Sequence, residues 1–400
     1  MKLELERLRA ETPACAHRIH FNNAGAGLMP APVLEAMKDY LELESELGGY
    51  EAADARAEAI QDFYAATAHL LGCKTRNVAF STNATDAFAR AVSSIPFGPG
   101  DLILTTRDDY ISNQIAFLSL RKRLGVEVVH APNLPVGGVD VEAMERLMHD
   151  RRPRLVAVTH IPTNSGLVQP AAEIGRRCRE LELLYLVDAC QSVGQYPIDV
   201  EQLGCDFLSA TGRKFLRGPR GSGLLYVSDR ALAAGYEPLF IDMRGARWVG
   251  FEQYEQVETA ARFEDWEFSY ATVLGAAAAT RYALAVGIDA IAERTPALGG
   301  TLRERLAEID GVRVLDRGPE LCAIVTFTLE GWKSEDLSHE LRRRRINSSV
   351  SAREHALYDF AEKDVEACVR LSPHYYNTEQ EVDEVVDALR ELALAGLLRR

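Results

Sequence analysis

Short apolar runs alternate along the first part of the chain with amphipathic stretches of helical period. Seven of these runs have the length of a strand, and several are apolar at every position rather than at every second one. Runs of that kind are typical of parallel strands buried on both faces. Their alternation with helices predicts an α/β domain around a mostly parallel, seven-stranded sheet. The runs are NVAFST (77–82), DLILTT (101–106), VEVVHA (126–131), RLVAVTHI (154–161), LYLVDA (184–189), DFLSAT (206–211) and GLLYVS (223–228).

The pattern changes after about residue 260. An alanine-rich helical stretch (272–287) is followed by helices that alternate with the apolar runs VRVL (312–315) and AIVTFTL (323–329). This pattern of helices and apolar runs predicts a smaller α+β C-terminal domain. We therefore divide the chain into a large domain over 21–265 and a small domain over 266–400. An N-terminal arm over 1–20 is expected to pack on the small domain or on a partner subunit.

Composition and charge exclude several classes of partner. The 400 residues are 47% hydrophobic and 26% charged, which predicts a large folded core. The net charge of −14 argues against nucleic acid as the main partner. The first residues, MKLELERLRAETP, lack the apolar segment of a signal peptide, and no window resembles a membrane span. Seven scattered cysteines without a CxxC pair favour a reducing cytoplasm and no metal site.

Polar residues directly follow several of the predicted strands. In open α/β sheets, ligands bind beyond the carboxyl ends of the strands, so these positions carry the most information about chemistry. We expect them to meet at one edge of the sheet. The four segments are NATD (83–86), HIPTNSG (160–166), DACQ (188–191) and ATGRK (210–214).

The sequence around Lys214 allows three roles for this residue: a solvated surface lysine, a phosphate-binding lysine of a nucleotide loop, or a covalent catalyst. The nucleotide loop requires Ser or Thr after the lysine, whereas Phe215 stands there. A Schiff-base lysine needs a partly apolar, dry pocket, which Phe215 and Leu216 could supply. A pyridoxal phosphate enzyme also needs a carboxylate for the ring nitrogen, and Asp188 is a candidate. The alternative role of Asp188 is an N-cap for the segment that follows it.

Two segments taken together resemble a known family. VDACQSVGQYPIDV (187–200) followed by GCDFLSATGRKFLRGPRGSGLLYV (204–227) is similar to the class V aminotransferase superfamily. These fold-type I pyridoxal phosphate enzymes include cysteine desulfurases, isopenicillin N epimerase-like proteins and ergothioneine-pathway C–S lyases. The resemblance spans roughly residues 20–390. It implies the PLP-dependent transferase fold type I, pyridoxal 5'-phosphate as cofactor, a small amino-acid substrate, and a homodimer with active sites at the subunit interface.

The resemblance also implies roles for individual residues. Lys214 would carry the cofactor covalently and move protons at the substrate Cα, and Asp188 would pair with the pyridinium nitrogen. Tyr110 would stack on the ring and could protonate a leaving sulfur, or it is simply a core tyrosine. The other implied cofactor contacts are Ala84, Thr85 and Thr211 at the phosphate, Gln191 near the ring hydroxyl, and Thr163 or Asn164 at a cofactor oxygen.

Three further residues concern the substrate. Arg370 matches the arginine that binds the substrate carboxylate in this family, and we also expect Asn23 to contact the substrate. Arg213 replaces a histidine that many relatives carry before the lysine. It would hold either the cofactor phosphate or a second acidic group on the substrate.

One departure from the family guides the expected reaction. Cysteine desulfurases carry a nucleophilic cysteine in the segment that reads RINSSVSAREHALYD (345–359) here, and no cysteine is present in it. We therefore predict a C–S β-lyase that acts on a cysteine-derived S-conjugate or sulfoxide, gives pyruvate and ammonia, and uses no persulfide cysteine. The alternatives are a class V aminotransferase or an amino-acid epimerase, with cysteine desulfurase ranked below them.

Overall fold

The structure, a computed structural model, describes residues 3–397. Its strands are β1 (Ile19–His20), β2 (Val78–Ser81), β3 (Leu102–Thr105), β4 (Glu127–His130), β5 (Leu155–Thr159), β6 (Tyr185–Asp188), β7 (Phe207–Thr211), β8 (Gly223–Val227), β9 (Ala246–Gly250), β10 (Gln253–Gln256), β11 (Val312–Val314), β12 (Val325–Leu329), β13 (Ile346–Asn347), β14 (Ser349–Ala352) and β15 (Ala367–Leu371).

The helices are α1 (Leu5–Ala10), α2 (Ala31–Leu47), α3 (Gly49–Ala55), α4 (Ala57–Leu71), α5 (Ala84–Ser93), α6 (Ile111–Leu124), α7 (Val141–Arg151), α8 (Ala171–Glu180), α9 (Val200–Leu203), α10 (Asp229–Ala233), α11 (Tyr270–Val286), α12 (Ile288–Ala307), α13 (Ser334–Arg343), α14 (Leu357–Lys363) and α15 (Glu379–Leu397). Short 3₁₀ turns cover Pro13–Ala16, Thr75–Asn77, Ala260–Phe263 and Arg353–His355.

The central sheet has seven strands in the order β2-β8-β7-β6-β5-β3-β4. Strand β8 runs antiparallel to both of its neighbours, and the five strands from β7 to β4 are parallel to one another. Strands β6 and β7 alternate between two apolar cores: Tyr185 and Val187 face one core, and Leu186 and Phe207 face the other. These strands are therefore covered on both faces, and the predicted α/β fold with a mostly parallel seven-stranded sheet is confirmed.

A second sheet lies in the C-terminal part. It has four antiparallel strands in the order β11-β12-β15-β14, and its core joins Phe21 to residues of β12, α12 and α15. The N-terminal arm packs here too, since β1 pairs with β13 and Leu8 contacts Tyr375 and Tyr376. The boundary between residues 265 and 266 stays a prediction. Helix α11 packs into the core of the large sheet, and Leu298, on α12, belongs to the core of the four-stranded sheet.

Two features bear on the partners of the chain. The hairpin β9–β10 was not predicted from the sequence, and it leaves Trp248 and Phe251 exposed at 77% and 98%. Among residues 3–397, no single helix is long and apolar enough to cross a membrane. The pair α11 and α12 reaches that length and composition together, but it bends by 83° at its break.

Candidate active site

A cavity that is partly open to solvent lies at the carboxyl ends of β5, β6 and β7. This is the edge of the sheet at which the four polar segments were expected to meet. Nine of the twelve residues predicted from the sequence line it, together with five that were not predicted. The lining residues are Asn83, Ala84, Thr85, Tyr110, Asn113, Thr159, Ile161, Thr163, Asp188, Cys190, Gln191, Thr211, Arg213 and Lys214.

Lys214 stands three residues beyond β7, and 7% of its surface is exposed. Burial is the main cause that lowers the pKa of its ammonium group, and the positive charges of Arg213 and Arg370 act in the same direction. The Nζ atom lies 6.0 Å from the centroid of the Tyr110 ring. A buried lysine with a lowered pKa is suited to act as a nucleophile or base.

Asp188 is the last residue of β6 and has two donors. Its Oδ1 accepts a hydrogen bond from the backbone N–H of Cys190 at 2.9 Å, and its Oδ2 accepts one from Asn113 Nδ2 at 3.0 Å. Two donors, one on each oxygen, fix the plane of the carboxylate. The arrangement places an oriented carboxylate in the wall of the cavity.

The opposite end of the cavity is formed by the start of α5. Asn83 caps this helix, because its side chain accepts a hydrogen bond from Asp86 N at 2.9 Å. A side chain at Gly223 would place its Cβ 2.6 Å from the Asn83 carbonyl carbon, so glycine lets β8 approach this turn. The free N–H groups at Ala84 and Thr85 make this end suitable for an anion.

Arg370, on β15 of the four-stranded sheet, reaches the cavity wall through Thr163. Its Nη1 donates to the backbone oxygen and to Oγ1 of Thr163 at 2.6 and 2.7 Å, and its Nε donates to Ser349 Oγ at 3.0 Å. Burial lowers the pKa of Arg370 to about 10, so the guanidinium still carries its charge at neutral pH. Gln191 Nε2 also donates to Thr163 Oγ1, at 2.9 Å.

Arg213 and two predicted asparagines have defined protein partners. Arg213 lines the cavity and donates to the backbone oxygen of Gly25. Asn164 does not line the cavity; its Nδ2 donates to Asp359 Oδ2 at 2.7 Å. Asn23 also lies outside the lining, fully buried, and its side chain is bonded to His20, Ser372 and Tyr376. The structure therefore does not bring Asn23 or Asn164 together with Lys214.

Asn113 is the lining residue with the most informative contacts that sequence reasoning missed. It lies in the first turn of α6, three positions after Tyr110, the N-cap residue of that helix. That spacing was the available signal. Thr159 was missed although it directly precedes the segment 160–166, and Cys190 was missed although it lies within the segment 188–191. In the described part of the chain, no group of three or more His, Cys, Asp or Glu side chains could hold a metal ion.

Comparisons with known proteins place the chain in a family. The model of the aminotransferase class-V family matches residues 19–385, and the chain belongs to that family. A probable cysteine desulfurase of Methanothermobacter thermautotrophicus is 28% identical over 98% of this chain and 99% of its own. A probable hercynylcysteine sulfoxide lyase of Mycobacterium tuberculosis is 29% identical over 96% of this chain and 92% of its own. The apo structure of the cysteine desulfurase from Thermococcus onnurineus NA1 matches with a TM-score of 0.90 and 25% identity, over 99% of both chains.

The family indicates pyridoxal 5'-phosphate as the cofactor, as the sequence predicted. The cavity fits this group. It has an anion-binding end at α5, an oriented carboxylate at Asp188 and a buried amine at Lys214. Among the described residues, Gln191 Oε1 is buried without a hydrogen-bond partner, which leaves an acceptor for a ligand hydroxyl. The chain is thus an enzyme of the pyridoxal phosphate-dependent class V superfamily.

The expected reaction, a C–S β-lyase without persulfide formation, is wrong. Several full-length relatives are named cysteine desulfurases, and so is the solved structure from Thermococcus onnurineus NA1, which points to persulfide-forming activity. The prediction rested on the missing cysteine in residues 345–359. That absence shows only that this segment does not accept the sulfur. It does not determine how the C–S bond is broken.

Proposed function

We propose that Lys214 binds the cofactor covalently and that Asp188 pairs with its ring nitrogen. Their burial and their common position in the cavity wall support these roles. Bound pyridoxal phosphate supplies an electron sink that stabilises negative charge on a substrate carbon. Ala84, Thr85 and Thr211 would hold the phosphate, Tyr110 would pack on the ring, and Gln191 would accept from the ring hydroxyl.

The substrate carboxylate would bind at Arg370. The charged guanidinium lies against Thr163, a lining residue, and planar guanidinium groups suit carboxylates. Thr163 is the better placed of the two candidates for a cofactor oxygen, since the side chain of Asn164 is bonded to Asp359. Lys214 Nζ would take and return the proton at the substrate Cα, because its lowered pKa favours the neutral amine.

The reaction that best fits is desulfuration of L-cysteine with transfer of the sulfur to a thiol. A thiolate attacks the substrate sulfur, the S–S bond forms and the Cβ–S bond breaks, and protons complete the methyl group. L-Cysteine and R–SH thereby give L-alanine and R–S–SH. The observation that carries this proposal is the full-length match to cysteine desulfurases, combined with a cavity lined by a buried lysine and by Thr163, to which Arg370 donates.

The accepting thiol would come from outside the cavity. Cys190 is the cysteine in the lining, but burial and the nearby Asp188 charge raise the pKa of its thiol. A thiol with a raised pKa is a poor nucleophile. A small thiol or a cysteine of another protein would therefore take the sulfur.

The acceptor assignment is tested with the cofactor-loaded enzyme, L-cysteine and increasing dithiothreitol. Sulfide release should rise with dithiothreitol, and Cys190→Ser should retain most of the rate. Sulfide release that does not depend on added thiol, together with its loss in Cys190→Ser, would assign the acceptor role to Cys190 instead.

The homodimer would use the hairpin β9–β10 and the segment before it. This surface, which we call the hairpin patch, consists of Leu239, Phe240, Met243, Trp248 and Phe251, each at least 68% exposed. Several large exposed apolar side chains within thirteen residues of sequence are typical of interaction sites. Its occupant would be a second copy of this chain, as the family resemblance implies.

A further inference from the structure

We propose that Asn113 is a positioning residue for Asp188 and that Asp109 holds Asn113 in place. Asn113 lies on α6 and is almost fully buried. Its Nδ2 donates to Asp188 Oδ2 at 3.0 Å and to Asp109 Oδ1 at 3.1 Å. One amide group therefore joins the carboxylate in the cavity wall to a second carboxylate behind it.

The chemistry of the three groups fixes the orientation of the amide. If the Asn113 side chain were rotated by half a turn, its oxygen would stand about 3 Å from two carboxylate oxygens, with no proton between them. A buried acceptor facing two acceptors is strongly unfavourable. Asp109 thus forces the NH₂ group of Asn113 toward Asp188, although Asp109 itself does not line the cavity.

Asp109 is a rigid anchor because five groups donate to it. Oδ1 accepts from Tyr110 N at 2.7 Å, from Asn113 and from Thr159 Oγ1; Oδ2 accepts from Gln114 Nε2 at 2.6 Å and from Thr105 Oγ1 at 3.3 Å. Burial raises the pKa of Asp109, and the bonds from Thr159, Gln114 and Asn113 act in the opposite direction.

The arrangement has a consequence for the cofactor. Asp188 already has one donor on each oxygen, from Cys190 N and from Asn113, so the plane of its carboxylate is set before the cofactor binds. Because the carboxylate is already oriented, less conformational entropy is lost when the ring nitrogen of the cofactor binds to it. Asn113 should therefore contribute to cofactor affinity through Asp188, independently of which reaction the enzyme catalyses.

The test measures pyridoxal phosphate affinity of the cofactor-free full chain by fluorescence titration. Asn113→Ala and Asp109→Asn should each weaken the affinity by about ten- to a hundredfold, the range expected for a hydrogen bond to a charged group. The matched control is Asp108→Asn, the neighbouring buried carboxylate, which is bonded to Asn133 and not to Asn113. Its affinity should stay within about twofold of the wild type.

The same substitution made in the Asp188→Ala variant distinguishes a positioning role of Asn113 from a general structural role. In Asp188→Ala, adding Asn113→Ala should cause little further loss of affinity, because the residue through which Asn113 acts is gone. Full additivity in that background would overturn the proposal. Unchanged affinity in Asn113→Ala or Asp109→Asn, or an equal loss in Asp108→Asn, would also overturn it.

Discussion

Lys214 lies three residues after β7 and is almost fully buried. Its role as a covalent cofactor lysine was predicted from the sequence alone. The signal was strong because the flanking residues exclude a nucleotide loop and Asp188 supplies the second group that a pyridoxal enzyme needs. Asn23 and Asn164 were harder to place. Asn164 follows the lining residue Thr163, and Asn23 precedes Ala24, whose backbone oxygen accepts from Gln191, but both asparagine side chains are bonded to other parts of the chain.

Borohydride reduction of the loaded protein tests the covalent role of Lys214. The wild type should retain one cofactor on the peptide that contains Lys214, and Lys214→Ala should retain none, as judged by peptide mass. The control is Lys363→Ala; this lysine is also buried but is paired with Asp359 at 2.8 Å. Loss of labelling in Lys363→Ala, or labelling that persists in Lys214→Ala, would contradict the assignment.

His20 predicts acid sensitivity of the fold. Burial lowers its pKa from 6.5 to about 4, and its ring bonds to Ala26 O and Asn347 Nδ2 as the neutral form. Between pH 4 and pH 6.5 the unfolded chain binds a proton at His20 more readily than the folded chain does. The contribution of neutral His20 to the free energy of unfolding is therefore complete above pH 6.5 and is lost as the pH falls toward 4. Relative to pH 7, the free energy of unfolding at pH 5 should be lower by about 2 kcal/mol because of His20.

The measurement compares urea unfolding at pH 7 and pH 5. His20→Gln should lose less stability on acidification than the wild type, because glutamine takes up no proton. His17→Gln, at an exposed histidine, should behave like the wild type. Equal acid sensitivity of the wild type and His20→Gln would show that His20 is not the responsible group.

At the scale of elements, six of the seven strands of the central sheet were predictable because they are buried at every position. The edge strand β4 is partly exposed and was predicted from its β-branched run. The hairpin β9–β10 was not, because its residues are largely exposed and no core face imposes a pattern. Strand β14 is also short, and two of its four residues are serines, so the sequence does not mark it as a strand. Its pairing with β15 depends on contacts distant in sequence.

Gly194 shows how one turn positions the segment that carries Lys214. It has φ +94°, and a Cβ would lie 2.3 Å from Leu216 N and 2.4 Å from the Phe215 carbonyl carbon. Gly194→Ala should lower the free energy of unfolding by at least about 2 kcal/mol and weaken cofactor binding, because the backbone beside Lys214 must move. Calorimetry and cofactor titration measure the two effects.

Gly300→Ala is the matched control for that change. Gly300 lies on α12, and a Cβ there would meet nothing within 4 Å. Alanine should be neutral or stabilise the helix by up to about 1 kcal/mol. A Gly194→Ala protein as stable as Gly300→Ala, with unchanged cofactor affinity, would contradict the packing argument.

At the scale of the whole molecule, the hairpin patch predicts self-association. Light scattering during gel filtration should give twice the chain mass of 44.2 kDa for the wild type. Trp248→Ser with Phe251→Ser should shift the protein toward the monomer, since truncated apolar anchors weaken an interface. Leu394→Ser, at a residue 66% exposed on α15, should leave the mass unchanged. A monomeric wild type would refute the dimer.

The central claim is tested most directly by the carbon product that the loaded enzyme forms from L-cysteine in the presence of a thiol. Desulfuration predicts L-alanine in the same amount as the sulfur released, with no pyruvate, and no product from Lys214→Ala. Pyruvate and ammonia in place of alanine would contradict the account.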